Sequence, residues 1–377
     1  MLAVVNGKII YEESIIEDKA LIVDKSKILS INETVPKGIE VIDAEGNYIS
    51  PGFIDMHIHG IGGYDTMDSS YEALNSMSEI LTSFGVTSFM PTVLPMDRET
   101  IKKAIKAVSL SMIQGTEGAN IIGVHLEGPF INKKMKGALD ESFLHEPDMD
   151  LFLNIAGDGL PIIKRVTLAP ELNGAIDLIK FLNGHGITVS IGHSDASFDE
   201  TINAIQKGAN HSTHLYNAMR PYNHREPGII GAIMDSGITT ELIADGVHVH
   251  FAALRTALKI KGYKNCALVS DSTMACCMED GTYFLGGQEI MVKESVSRLK
   301  DDTLAGSTLT LDKAVRNIVK NTHLDITKAV YMASGLPAKI CRLSDKKGFL
   351  KEGYDADLII FDDDINIKTT LIGGVKK

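Results

Sequence analysis

The sequence predicts an α/β fold: a (β/α)8 TIM-like barrel with a small β-sandwich domain formed by both chain ends. Three observations lead there. Between residue 50 and about residue 340, eight short apolar runs alternate with amphipathic helical segments. Most of those runs are followed at once by residues able to do chemistry. The two chain ends differ from the middle: they are short strands joined by turns, with no helical period.

In order, residues 1–50 read as strands at 3–5, 8–11, 20–24, 28–32 and 40–43, punctuated by Gly7, Asp24-Lys25 and Gly46. Barrel strands are expected at 53–56, 87–90, 120–125, 165–168, 188–191, 209–213, 240–243 and 267–269. Helical stretches such as 71–84, 99–112, 175–183 and 311–321 fall between or after them. Residues 348–361 read as a turn followed by a buried strand at 357–361. Residues 1–50 plus 343–377 are therefore expected to form the sandwich, and 51–342 the catalytic barrel.

Composition bounds the function. The chain has 377 residues, 44% hydrophobic and 23% charged, the make-up of a soluble globular protein. A net charge of −12 argues against nucleic acid, whose phosphates need clustered Lys and Arg. A small anionic substrate needs only one local basic pocket. The N-terminal apolar run is too short for a secretory signal and follows no basic region, and no stretch approaches the about 18 apolar residues of a membrane span. A cytoplasmic protein without a membrane partner is expected. None of Cys266, Cys276, Cys277 and Cys341 forms a CxxC pair, so buried reduced thiols are expected. The alternative is a role for Cys276 or Cys277 beside the site.

The strand ends carry the candidates, because in a barrel they converge on one face. His57 and His59 stand two apart at the end of an apolar strand and before Gly60, so both imidazoles can reach one ion, and a ligand pair is favoured over a structural one. Glu127 precedes the sharp Gly128-Pro129 turn and suits a divalent ion better than a solvated loop. His125 is either packed or hydrogen-bonded there, or functional. Glu171, Asp245 and His248 share the phase. Glu127, His193 and His214 make three ligands with a position open for water. His211, three residues before His214, faces the other way. Asp271 can take and return a proton; as a helix cap it has competitors in Ser272 and Thr273. Arg225 lies in a polar loop ending Pro227-Gly228, and its planar guanidinium suits phosphate or carboxylate. Leu304, Ala305 and Gly306 read as a close backbone approach to ligand.

HxH, His-Leu-Glu-Gly-Pro-Phe, Gly-His-Ser, His-Leu-Tyr-Asn-Ala-Met, His-Arg-Glu-Pro-Gly, Asp-Gly-Val-His, Val-Ser-Asp and Leu-Ala-Gly-Ser run in that order from about residue 45 to 360. Together they resemble the N-acetylglucosamine-6-phosphate deacetylases of the amidohydrolase superfamily. The resemblance implies a metal-dependent hydrolase that removes acetate from a small amino-sugar phosphate. It implies one or two divalent ions (Zn2+, Fe2+, Mn2+ or Co2+) on Glu127, His193 and His214, with His57 and His59 able to hold the second. Asp271 would be the general acid/base. Asn217, the Ala218 backbone, Arg225 and His248 would hold the sugar phosphate, with Leu304, Ala305 and Gly306 nearby. A homodimer is implied, with Arg225 acting at the subunit interface. Some members have a carbonyl-polarising His within Lys-Gly-x-His; here Lys136-Gly137-Ala138-Leu139 puts Leu139 at that point of the substrate pocket. A second ion on His57 and His59 is expected to replace it. The rival readings are the epimeric galactosamine substrate, another amidohydrolase such as a cyclic amidase or an aminoacylase, and a metal-binding sugar-phosphate sensor without catalysis.

Overall fold

A computed structural model describes residues 1–32 and 34–377. Eight parallel strands ring the barrel: Phe53–Ile58, Val86–Val93, Val124–Glu127, Ile163–Leu168, Thr188–Ile191, His211–Ser212, Thr239–Leu242 and Cys266–Leu268. Val86–Val93 is buried at every residue, as expected where helices cover one face and the barrel interior the other. The third strand is expected as one run. In the structure it divides at Gly123 (φ 143°) into Asn120–Ile121 and Val124–Glu127.

The last and first strands are joined beyond their ladders. Asp271 N–H donates to the His57 carbonyl and His59 N–H to the Ser272 carbonyl, each at 2.9 Å. Closure thus sets Asp271 against the His57–His59 pair, far away in sequence.

The helices follow local rules. Tyr71–Thr82 is capped by the Ser70 hydroxyl, which accepts from Ala73 N–H. It buries Ala73, Leu74, Met77, Ser78 and Leu81, one stripe at helical spacing. Phe198–Lys207 begins with a capping box between Ser197 and Glu200. Ala175–Gly184 and Leu311–Asn321 stand where the periodicity predicts them.

The chain ends form the small sandwich. One sheet orders Lys27–Asn32, Ala20–Asp24, Leu2–Val5 and Glu40–Asp43. The other orders Val375–Lys376, Ile367–Ile372, Leu358–Phe361, Tyr48–Pro51, Lys8–Tyr11 and Ser14–Ile16. Leu358–Phe361 is the hinge between cores. Leu358 and Ile360 join Val4, Leu21 and Ile49 in the sandwich core, while Ile359 and Phe361 join Phe53 and Val86 in the barrel core. Alternate side chains point to opposite faces, so one strand serves both cores. Full burial of each of these side chains is worth about 1.5–3 kcal/mol.

Three further features differ from the expectation. Ser14–Ile16, Tyr48–Pro51, Ile367–Ile372 and Val375–Lys376 extend the sandwich beyond the expected strands. An antiparallel sheet of Gly281–Leu285, Gln288–Lys293 and Val296–Arg298 is inserted after the eighth barrel strand. Its buried Leu285 and Ile290 pack on Leu94, Ile131, Leu139 and Ala305, which lays the sheet over the barrel mouth. All four cysteines are free, but Cys277 is exposed, which corrects the expectation of buried thiols. Among the described residues, no helix is long and apolar enough to cross a membrane.

Candidate active site

The strand ends deliver their side chains to one buried cluster. Glu127 Oε1 lies 3.3 Å from His193 Nε2, 3.2 Å from His214 Nε2 and 3.5 Å from His57 Nε2. Its Oε2 lies 3.4 Å from His59 Nε2. Asp271 Oδ1 stands 3.0 Å from His59 Nε2 and 3.4 Å from His57 Nε2. Two triads result, His57–His59–Glu127 and Glu127–His193–His214, with the ligand atoms of each within 4.8 Å of one another. Glu127 belongs to both.

The donor chemistry fits a divalent cation. His193 Nδ1–H donates to the Met135 carbonyl at 2.9 Å, which turns the Nε2 lone pair inward. His57 Nδ1–H donates to Glu241 Oε2 at 3.0 Å, leaving Nε2 buried without a hydrogen-bond partner. His193 Nε2 and His214 Nε2 face each other at 3.1 Å, nitrogen to nitrogen. Inward lone pairs beside carboxylates are what a cation resolves.

The backbone is forced to make this cluster. His193 (φ 48°), His214 (φ 26°), Ala218 (φ 50°) and Asp271 (φ 50°) all adopt left-handed conformations. Such residues cost about 1–3 kcal/mol each and persist where the surroundings over-determine them.

Charge sets the protonation states. Burial pushes the Asp271 carboxyl up, but the His57 and His59 rings outweigh it and hold the group below its ordinary range. Glu127 is likewise opposed by burial yet held well below the carboxylate range by His57, His193 and His214. At His248 burial lowers the pKa, but the Asp245 carboxylate, 2.6 Å from Nδ1, raises it above the ordinary value.

Beneath the cluster runs a second layer of charge. Arg165 pairs with Glu241, and both side chains are almost fully buried. Glu241 also accepts from His57 Nδ1 and, at 3.1 Å, from the His214 backbone N–H. His125 is a hydrogen-bonded core residue, 3.1 Å from Thr92 Oγ1 and 2.7 Å from Thr167 Oγ1. His211 stays outside the ion cluster, with Nδ1 2.7 Å from Thr239 Oγ1 and Nε2 3.6 Å from Glu241 Oε1. Glu171 accepts from Asn132, Ser194 and the Asp195 backbone.

The cluster opens into a cavity of about 380 Å3. His59, Glu127, His193, His214 and Asp271 form its floor. Asn217, Ala218, His248, Leu304 and Gly306 line it too, with Ala138 and Leu139. Three expected residues do not line it. His57 is buried within the cluster, Ala305 is buried with its N–H on the Ser297 carbonyl, and Arg225 is exposed outside the cavity.

Sequence reasoning passed over Arg165 and Glu241, although lone charges inside apolar barrel strands signal partnered burial. It also passed over Arg298, Asp302 and Thr303, which reach the cavity from the inserted sheet and the loop after it. Nothing local marks them, because the sheet that carries them was not foreseen.

Three comparisons bear on this geometry. The chain is 38% identical over 339 residues to the N-acetylglucosamine-6-phosphate deacetylase of Lysinibacillus sphaericus, covering 90% of this chain and 87% of that one. It is 33% identical over 368 residues to the N-acetylgalactosamine-6-phosphate deacetylase of Escherichia coli O157:H7, covering 97% of each. Its fold is similar to the crystal structure of N-acetylglucosamine-6-phosphate deacetylase from Pasteurella multocida, with a TM-score of 0.95, 32% identity and coverage of 100% and 99%. Residues 48–376 match the amidohydrolase family, a span holding every residue of the cluster. The chain belongs to the amidohydrolase family.

Proposed function

We propose that this protein hydrolyses the acetamide of N-acetyl-D-glucosamine 6-phosphate, giving D-glucosamine 6-phosphate and acetate, in amino-sugar catabolism or recycling. The carrying observation is one cavity that joins a Glu127–His193–His214–Asp271 floor to a wall with Asn217, Ala218 and His248. The deacetylase names of the relatives support the substrate.

In this reading Glu127, His193 and His214 hold one divalent ion, and His57, His59 and Glu127 a second. Zn2+, Fe2+, Mn2+ and Co2+ all suit this ligand set. Such ions supply Lewis-acid polarisation and an activated water at neutral pH, the polarising task that Leu139 cannot perform. Asp271, whose Oδ1 stands 3.0 Å from His59 Nε2, accepts a proton from the water that adds to the acetyl carbon. It returns a proton to the nitrogen as the C–N bond breaks, so acetate and the free amine leave. Asn217, the Ala218 backbone and His248 hold the phosphorylated sugar, with Leu304 and Gly306 beside it. Binding energy gathered there, away from the scissile bond, helps orient the acetamide. Exposed Arg225 acts on the neighbouring cavity of a homodimer. Residues 1–50 with 343–377 form the supporting domain and 51–342 the catalytic one.

The test is acetate release from N-acetylglucosamine 6-phosphate by metal-loaded protein, beside the galactosamine epimer. Faster turnover of the glucosamine substrate is expected, abolished by chelator. No release from fully metallated protein would overturn the reading. Mutating His57 and His59 together to Ala should cut turnover severely; near-normal turnover with one ion bound would remove the second ion's role.

A further inference from the structure

Apart from the histidines, the cavity wall has one cationic side chain. Among the described residues that line it, Arg298 is the only lysine or arginine. Arg298 ends the third strand of the inserted sheet and bridges Leu304 antiparallel, so its backbone is tied to the Leu304–Gly306 segment beside the site. Its guanidinium is placed by one residue. One terminal N–H donates to the Asp302 carbonyl at 2.7 Å, and Nε lies 3.4 Å from Asp302 Oδ1. One hydrogen bond thus uses one of the five N–H donors of a guanidinium.

The pair sits where solvent reaches the site. Arg298 and Asp302 also line a second cavity, of about 640 Å3, on the inserted sheet. Their side chains are 39% and 86% exposed, so a polar ligand can compete for the guanidinium without a large desolvation cost. Arg298 is also close enough to His248 for its charge to act on that ring. Arg298 and His248 thus line one cavity.

We propose that Arg298 is the phosphate anchor that this chain contributes to its own cavity, with Asp302 holding its guanidinium in place until the phosphate displaces the carboxylate. The inference rests on the phosphorylated substrate proposed above. It differs from a role for Arg225, which is exposed outside the cavity. A planar fork matches a phosphate's oxygens, and a charge-assisted pair is the strong form of hydrogen bond.

The experiment compares kcat and KM for N-acetylglucosamine with and without its 6-phosphate, on metal-loaded wild type, Arg298→Ala, Arg298→Lys, Asp302→Asn and Arg225→Ala. Arg298→Ala should lower the preference for the phosphorylated sugar by about 10- to 100-fold, the range of a lost hydrogen bond to a charged group. The loss should fall on KM, because the contact is the same in ground and transition states. Arg298→Lys should recover part of it. Asp302→Asn should move KM the other way, down by roughly two- to fivefold, the size of an exposed ion pair.

A preference within about threefold of wild type in Arg298→Ala, where loss of a charged hydrogen bond predicts more, overturns the proposal. So does Arg225→Ala carrying the whole loss, or a higher KM in Asp302→Asn. If Arg298→Ala folds poorly, the lysine and Asp302 variants still decide. If wild type releases no acetate from the phosphorylated sugar, it is the proposed function that fails. Protection of wild type against thermal unfolding by inorganic phosphate, lost in Arg298→Ala and only reduced in Arg298→Lys, then supports the anchor alone, and equal protection of all three overturns it.

Discussion

Removing Glu241 should damage both stability and the metal centre, and the two effects can be separated. Its carboxylate is fully buried against an Arg165 side chain that is 1% exposed. Burial pushes the Glu241 carboxyl up, but Arg165 and His57 outweigh it and hold it well below the ordinary range. Glu241→Ala therefore leaves Arg165 charged, buried and unpaired, a change that costs about 3–5 kcal/mol. The same substitution removes the acceptor for the His214 backbone N–H and for His57 Nδ1. Each buried group left unsatisfied costs about 1–3 kcal/mol more, so a total loss of about 5 kcal/mol or more is expected. Urea unfolding of metal-free protein reads this directly. The double variant Arg165→Met, Glu241→Leu removes both charges and should recover most of the loss, since neutral replacement of a buried pair is often tolerated. Yet His57 would still lack its orienting carboxylate. If the second ion proposed above sits on His57 and His59, metal analysis should find its binding weakened by about 10- to 100-fold, the usual cost of an outer-shell partner. Glu241→Ala losing less than about 1.5 kcal/mol, well under the cost of a broken buried pair, would refute the argument. So would a double variant that binds both ions as tightly as wild type.

Three further outcomes follow from the same geometry. Asp271→Asn should retain metal and lower kcat by about 10²–10⁴-fold, the range for loss of a positioned acid/base; metal content and single-turnover acetate release check it. His248 should make substrate binding pH-dependent. Its folded pKa lies above the ordinary 6.5, so the Asp245 pair's stabilisation is full below pH 6.5 and fades as pH rises through the folded value. KM for the phosphorylated sugar should climb over that same rise, and His248→Asn should flatten the profile. Gly306→Ala should impair turnover: φ is 56° there, and a Cβ would meet Thr273 Cγ2 at 2.5 Å and the Asp271 carbonyl at 3.1 Å. The left-handed strain alone costs about 1–2 kcal/mol, and kcat with urea stability together would show whether the turn bearing Asp271 has shifted.

The sequence by itself determined the elements and the phase of the site. Alternating apolar runs and amphipathic stretches define strands and helices through local periodicity. The two-residue spacing of His57 and His59 puts both rings on one side of a strand. Glu127, His193, His214 and Asp271 each follow an apolar run, and parallel strands in a barrel must end on one face. Only the tertiary structure decided what those ends meet. The hydrogen bond from Asp271 N–H to the His57 carbonyl closes the barrel and brings the acid to the first-strand histidines. The left-handed turns at His193, His214 and Asp271 aim the side chains, and no residue type there announces them. Arg165 and Glu241 are partners because two separate strands take one register round the ring. Arg298 reaches the cavity because an inserted sheet folds back over the mouth. Local sequence reports which face a side chain takes; which other faces it meets depends on contacts between distant segments, and these exist only in the closed fold.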